Sequence, residues 1–164
     1  MCIRDRLYTH GYTKFMSRVK KVGIDGLILP DMSIEESKDY LKSAKKNKLD
    51  TIFLVSPNTN NARLRKIVKA STGFLYMVAV FGTTGVQTKI HRYTIDSIKN
   101  AKKIVGSKLP IGIGFGVSTP SDVKKYVSAG VDAVIVGSAN LKICLLYTSP
   151  SPRDVEESRM PSSA

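Results

Sequence analysis

Five short apolar runs punctuate the middle of the chain: Gly26-Leu27-Ile28-Leu29, Thr51-Ile52-Phe53-Leu54-Val55, Phe74-Leu75-Tyr76-Met77-Val78, Ile111-Gly112-Ile113-Gly114-Phe115 and Ala133-Val134-Ile135-Val136. Each is continuous rather than alternating. A strand with one wet face alternates, whereas a parallel strand covered on both faces does not. Between the runs the apolar positions change to helical spacing. Ile34 to Lys46 follows Ser33, with Glu36 placed to complete a capping box. Ala62 to Ala70 sets Leu64, Ile67 and Val68 on one face, and Tyr93 to Val105 repeats Ile95, Ile98, Ala101 and Val105. Pro120 to Ala129 carries Thr119 as N-cap, Pro120 at the first helical position and Gly130 as a stop. Thr13 to Val22 forms a further helix ahead of the first run.

Helix and strand therefore alternate, and the pattern predicts an α/β protein with a parallel sheet and right-handed crossovers. Two architectures fit: an open doubly wound sheet, or a partial TIM (β/α)8 barrel. The chemistry at the strand ends favours the barrel. Three Gly-rich stretches follow strands: Phe81-Gly82-Thr83-Thr84-Gly85, Gly112-Ile113-Gly114-Phe115-Gly116-Val117-Ser118 and Gly137-Ser138-Ala139. Bare amides there, with a helix beginning at Ser138, form an anion site. Barrels commonly bind phosphate after their seventh and eighth strands. On that assignment the five runs are strands 4 to 8. The Gly112-x-Gly114-x-Gly116 spacing is not a dinucleotide fingerprint, because Asp132 precedes the next strand instead of ending it.

Both ends read differently. Residues 1–6 lack a period, and from Cys144 onward the order breaks into Leu145-Leu146-Tyr147-Thr148-Ser149-Pro150 and a polar tail. One short DNA element explains both. Read forward, ATGTGTATAAGAGACAG encodes Met-Cys-Ile-Arg-Asp; its reverse complement encodes Cys-Leu-Leu-Tyr. It looks like a sequencing-library adapter, so 1–6 and 144–164 are expected to be scars and 7–143 the C-terminal part of the barrel.

Composition then narrows the function. The 164 residues suit one domain, and 42% hydrophobic with 24% charged is an ordinary globular balance. No apolar run reaches the ~18 residues of a membrane helix, so no membrane partner is expected. Cys2 and Cys144 both fall in the terminal stretches and build no disulfide framework. The formal charge of +13 keeps nucleic acid in view. However, Lys42, Lys45, Lys46 and Lys48, and Lys99, Lys102 and Lys103, lie on polar helix faces without aromatic platforms. They read as solvated, and nucleic acid is not expected as a partner. His10 and His91 are isolated, so no metal is expected. Asp122 sits where a helix dipole favours it, a structural role.

The order Leu29-Pro30-Asp31, Leu54-Val55-Ser56-Pro57-Asn58, Gly82-Thr83-Thr84-Gly85, Gly114-Phe115-Gly116-Val117-Ser118-Thr119-Pro120 and Ile135-Val136-Gly137-Ser138-Ala139 resembles the tryptophan synthase α subunit family. The likeness spans essentially all of 7–143. Thr83 stands where the family usually has Val, and Asn140 where it has an aliphatic residue. The resemblance implies a lyase that cleaves indole-3-glycerol phosphate to indole and glyceraldehyde 3-phosphate, with no cofactor of its own. It also implies a pyridoxal-phosphate β subunit as partner in an αββα complex, and a cytoplasmic location. Gly85, Gly116, Gly137 and Ser138 would offer amides to the substrate phosphate. Phe115 and Ile113 would line the indole pocket, Tyr76 would approach the catalytic acid/base, and Thr84 would bond to a catalytic-loop aspartate. Asp31 would shape the pocket or the partner-facing side. The family's catalytic Glu and Asp are expected before Leu7, so this chain carries no catalytic residue. Indole-glycerol-phosphate synthase and thiamine-phosphate synthase barrels share parts of the pattern but fit less well between strands 4 and 6. A basic binding module is the alternative from another class.

Overall fold

The computed structural model describes residues 7, 9, 11–78, 92–114, 117 and 119–147. In chain order the elements are α1 (Tyr12–Lys21), β1 (Gly26–Ile28), α2 (Lys38–Lys46), β2 (Asp50–Ile52), β3 (Leu54–Val55), α3 (Asn61–Ala70), β4 (Leu75–Val78), α4 (Arg92–Val105), β5 (Ile111–Gly114), α5 (Pro120–Ala129), β6 (Ala133–Val134) and α6 (Ser138–Tyr147). All strand pairs are parallel: β1 with β2, then β3, β4, β5 and β6 side by side in sequence order. A doubly wound sheet reverses its strand order at a switch point. This order advances without reversal, as a barrel's does. The run Thr51 to Val55 is one strand interrupted at Phe53, whose carbonyl still accepts from the Tyr76 amide at 3.1 Å.

The ends of α3 and α5 have local reasons. The α3 helix starts at Asn60, whose side chain accepts from the Arg63 amide at 2.9 Å. The α5 helix has a complete capping box: Thr119 Oγ accepts from the Asp122 amide at 3.2 Å, and the Asp122 carboxylate accepts from the Thr119 amide at 3.0 Å. It stops at Gly130, which takes φ 105°, a left-handed conformation that costs glycine little. The helix expected from Ile34 begins instead at Lys38. Ser33 and Glu36 do bond as a pair, but they close a turn, and Ser37 Oγ donates to the Ile34 carbonyl at 2.7 Å. Met32 and Ser37, on either side of that turn, are buried.

The core lies between the strands and the helices that cross over them. Leu64 and Ile67 of α3 and Ile98, Ala101 and Val105 of α4 join Leu75, Met77, Ile111 and Ile113 in one cluster, all nearly inaccessible to solvent. Each large side chain buried there contributes roughly 1.5–3 kcal/mol. Tyr40 anchors α2 by meeting the Phe53 ring edge-on at 6.1 Å and donating to the Leu27 carbonyl at 3.2 Å. Burial pushes the Tyr40 hydroxyl far above its ordinary pKa, so it remains a donor.

Candidate functional site

A parallel sheet sends all its strands' C-terminal ends to one rim, where the loops gather. Ser56 to Asn60, after β3, is held rigidly. The Ser56 amide donates to Thr59 Oγ1 at 3.0 Å, the Thr59 amide donates back to the Ser56 carbonyl at 2.9 Å, and Ser97 Oγ of α4 donates to the Pro57 carbonyl at 3.1 Å. The Arg63–Glu35 ion pair, at 2.7 Å, ties the start of α3 to the turn after β1. Asp31 sits exposed in that turn, which the Met32 amide closes onto the Leu29 carbonyl at 3.1 Å.

Pairing decides what faces inward. Tyr76 is in register with Gly112, and Val78 with Gly114, while Met77 is in register with Ile113. Side chains alternate along a strand, so Phe74, Tyr76, Gly112 and Gly114 share one face and Leu75, Met77, Ile111 and Ile113 the other. The two glycines are where the two rings lie. A Cβ at Gly112 would stand 3.1 Å from the Phe74 ring, and one at Gly114 would overlap the Tyr76 hydroxyl and sit 2.8 Å from its Cζ. The rings lean on one another, centroids 6.2 Å apart at 35°. Partial burial raises the Tyr76 pKa, keeping its hydroxyl neutral and able to donate. The two glycines thus make room for the two rings on this face of the sheet.

Ile113, expected beside Phe115 in the pocket, is fully buried on the opposite face, against the core. Strand alternation separates it from Tyr76. Phe74 takes a place on the face with Tyr76 that the sequence reading did not give it. Its signal was available: aromatics at 74 and 76 opposite glycines at 112 and 114. Thr84, Gly85, Phe115 and Gly116 lie outside the described residues, as do His10 and His91.

Beyond β6, the strand paired with β5, Gly137 and Ser138 are exposed at the start of α6. The first-turn amides of any helix lack intrahelical acceptors and carry the positive end of its dipole. No acidic residue occupies the first turn of α6. Among the described residues, nothing lies within 4 Å of a Cβ placed at Gly137. Tyr76 and Gly114 lie on the paired strands β4 and β5, and Ser138 opens the helix that follows β6, the strand on the other side of β5. Asp31 stands apart, after the edge strand β1. Among the described residues no group of three or more His, Cys, Asp or Glu could hold a metal ion. Among them too, no helix is long and apolar enough to cross a membrane.

Parallel strands in sequence order, each reached through a crossover helix, define part of a TIM barrel. Comparison with known proteins gives the family. The family profile described as Tryptophan synthase alpha chain matches residues 1–158. The chain is 38% identical over 153 residues to the tryptophan synthase alpha chain of Thermococcus kodakarensis, covering 93% of this chain and 59% of that protein. It is 39% identical over 137 residues to that of Methanothermobacter thermautotrophicus, covering 84% of this chain and 50% of the relative. Among solved structures, a chain of the tryptophan synthase α2β2 complex of Pyrococcus furiosus superposes with a TM-score of 0.77 at 34% identity, over 84% of this chain and 55% of the other. The chain belongs to the tryptophan synthase alpha chain family. It spans a little over half the length of the relatives it matches.

Proposed function

We propose that this chain is the substrate-holding part of a lyase that cleaves indole-3-glycerol phosphate to indole and glyceraldehyde 3-phosphate in tryptophan biosynthesis. The observation that carries the reading is an aromatic pair set over glycines on one face of the sheet, Phe74 and Tyr76 over Gly112 and Gly114, in a chain whose last strand leads into a helix N-terminus at Ser138. An indole ring suits the first and a phosphate the second. Gly137 and Ser138 then donate amides to phosphate, joined by Gly85 and Gly116. Phe115 completes the indole pocket, Tyr76 approaches the reacting end, and Thr84 holds the catalytic-loop aspartate. Asp31 borders the partner side.

Retro-aldol cleavage needs one group to protonate indole C3 and another to take protons from the indole N–H and the glycerol hydroxyl. The family's Glu and Asp supply these, and in this reading they belong to barrel units preceding residue 7. Residues 1–6 and 144–164 are translated adapter sequence on this proposal. The whole protein works in the cytoplasm and docks on a tryptophan synthase β subunit, as the P. furiosus α chain does in its α2β2 complex.

The test joins residues 7–143 to the first three βα units of the T. kodakarensis relative and follows indole release from indole-3-glycerol phosphate. The folded chimera is expected to release indole and the present chain none. Indole release by the present chain, or a folded chimera that binds substrate-analogue phosphate nowhere near Ser138, overturns the reading.

A further inference from the structure

At the opposite end of the strands, the C-terminal turns of α3 and α4 part around a cleft of about 470 Å³. Thr72 marks its depth in the fold: the Thr51 amide donates to Thr72 Oγ1 at 3.0 Å, ahead of β4, so the cleft is a strand's length from Ser138. Its lining divides by chemistry. Val68, Ile104 and Leu109 supply an apolar floor, and Arg65, Lys69 and Lys108 supply three cations. No ion pair or hydrogen bond among the described residues engages any of the three. The nearby cation Lys102, by contrast, is taken up by Asp132 at 2.7 Å.

Basic residues often end helices because the dipole favours them there. That accounts for Lys69, in the last turn of α3, but not for Arg65 a turn earlier or for Lys108, beyond the end of α4. The helix-end carbonyls are also already engaged: the Ser71 amide and hydroxyl both donate to the Ile67 carbonyl, and the Gly106 amide donates to the Lys102 carbonyl. The cations are therefore available to a ligand. A cleft of this size, apolar below and polar at a few points, is the usual form of a small-molecule site.

We propose that this cleft binds an anion with an apolar body, of the class of one- or two-ring aryl carboxylates. The ring lies on Val68, Ile104 and Leu109, and the carboxylate meets Arg65, Lys69 and Lys108. A guanidinium and two ammonium groups suit a carboxylate, which takes a fork from Arg and point charges from Lys. The proposal is independent of the lyase reading, because the two sites occupy opposite ends of the sheet.

The experiment titrates the chain with 2-naphthoate and follows backbone amide NMR shifts, with acetate and 2-naphthol as single-feature controls. Saturable shifts are expected at Val68, Ser71, Thr72 and Leu109 and not at Gly137 or Ser138, and neither control should reproduce them. Replacing Lys69→Gln with Lys108→Gln should weaken binding about tenfold, the loss of roughly 1.4 kcal/mol. Arg65→Gln, on an exposed helix position, provides a second variant that leaves the fold intact and should weaken binding in the same direction. Lys45→Gln with Lys46→Gln, elsewhere on the same end of the molecule, should leave it unchanged. Shifts confined to the Ser138 end, equal response to acetate, or equal weakening by the Lys45/Lys46 variant would each overturn the proposal. The last of these would reduce the effect to general attraction of anions by a basic surface.

Discussion

The contact between Gly114 and Tyr76 offers the sharpest check on the ring-bearing face of the sheet. In Gly114→Ala the new methyl overlaps the Tyr76 hydroxyl and stands 2.8 Å from Cζ and 3.1 Å from Cε1. The backbone is not at issue, since Gly114 is an ordinary strand residue without positive φ. The ring must move, and Phe74, 6.2 Å away and itself seated over Gly112, limits where it goes. Overpacking of this kind costs roughly 1–3 kcal/mol. For a domain of this size, 2 kcal/mol corresponds to a fall of about 4–8 °C in Tm. The double variant separates steric conflict from general damage. Tyr76→Phe removes the hydroxyl but leaves Cζ too close, so it should relieve only part of the loss. Tyr76→Leu removes the ring and should relieve most of it, with a favourable coupling of about 1 kcal/mol or more. Urea unfolding of the wild type, the single variants and both doubles measures this cycle. A Gly114→Ala loss under about 0.5 kcal/mol, or additive doubles, would refute the packing of Tyr76 over Gly114.

Asp132 accepts from Lys102 at 2.7 Å and from the Ile111 amide at 2.8 Å, and these bonds, the lysine's first, hold its pKa below the usual carboxylate value. A carboxylate depressed in the folded state stabilises above its unfolded pKa of about 3.9 and loses that stabilisation as pH falls through the folded value. Both side chains of the pair are more than a third exposed, so solvent screening keeps the effect of Asp132→Asn within about 1 kcal/mol at pH 7. Urea unfolding of the two proteins should converge as pH drops below 4; a gap unchanged down to pH 2 would show that the charge plays no part. Gly137→Val adds a side chain that meets nothing within 4 Å among the described residues, so stability should stay within about 0.5 kcal/mol. A glycerol-phosphate analogue should nevertheless bind at least about tenfold more weakly by calorimetry, with Lys103→Ala nearly unchanged. Stronger dependence on Lys103 than on Gly137 would move the phosphate site elsewhere.

What the sequence determined alone is whatever neighbours three or four residues apart decide. The cap of α5, the Gly130 stop, the apolar stripes of α3 and α4 and the positions of the strand runs were all legible. Each depends on a bond or a periodicity contained within one segment. The start of α2 was not legible, because the Ser33–Glu36 pair that reads as a helix cap closes a separate turn ahead of the helix. The alternation of helix and strand left strand order open; the chemistry at the strand ends favoured the barrel, and the pairing of β3 to β6 in sequence order agrees with it. The Gly-rich run of β5 was recognised, but continuous apolar runs conceal which residue faces which layer. Only the register of β4 on β5 assigned Gly112 and Gly114 to the ring-bearing face and Ile113 to the core. Lys102, read from sequence as a solvated charge, found Asp132 thirty residues away because parallel crossovers bring the end of α4 beside the start of β6. Such pairings have no trace within a local window, since the chain between the partners carries no information about the angle at which it returns.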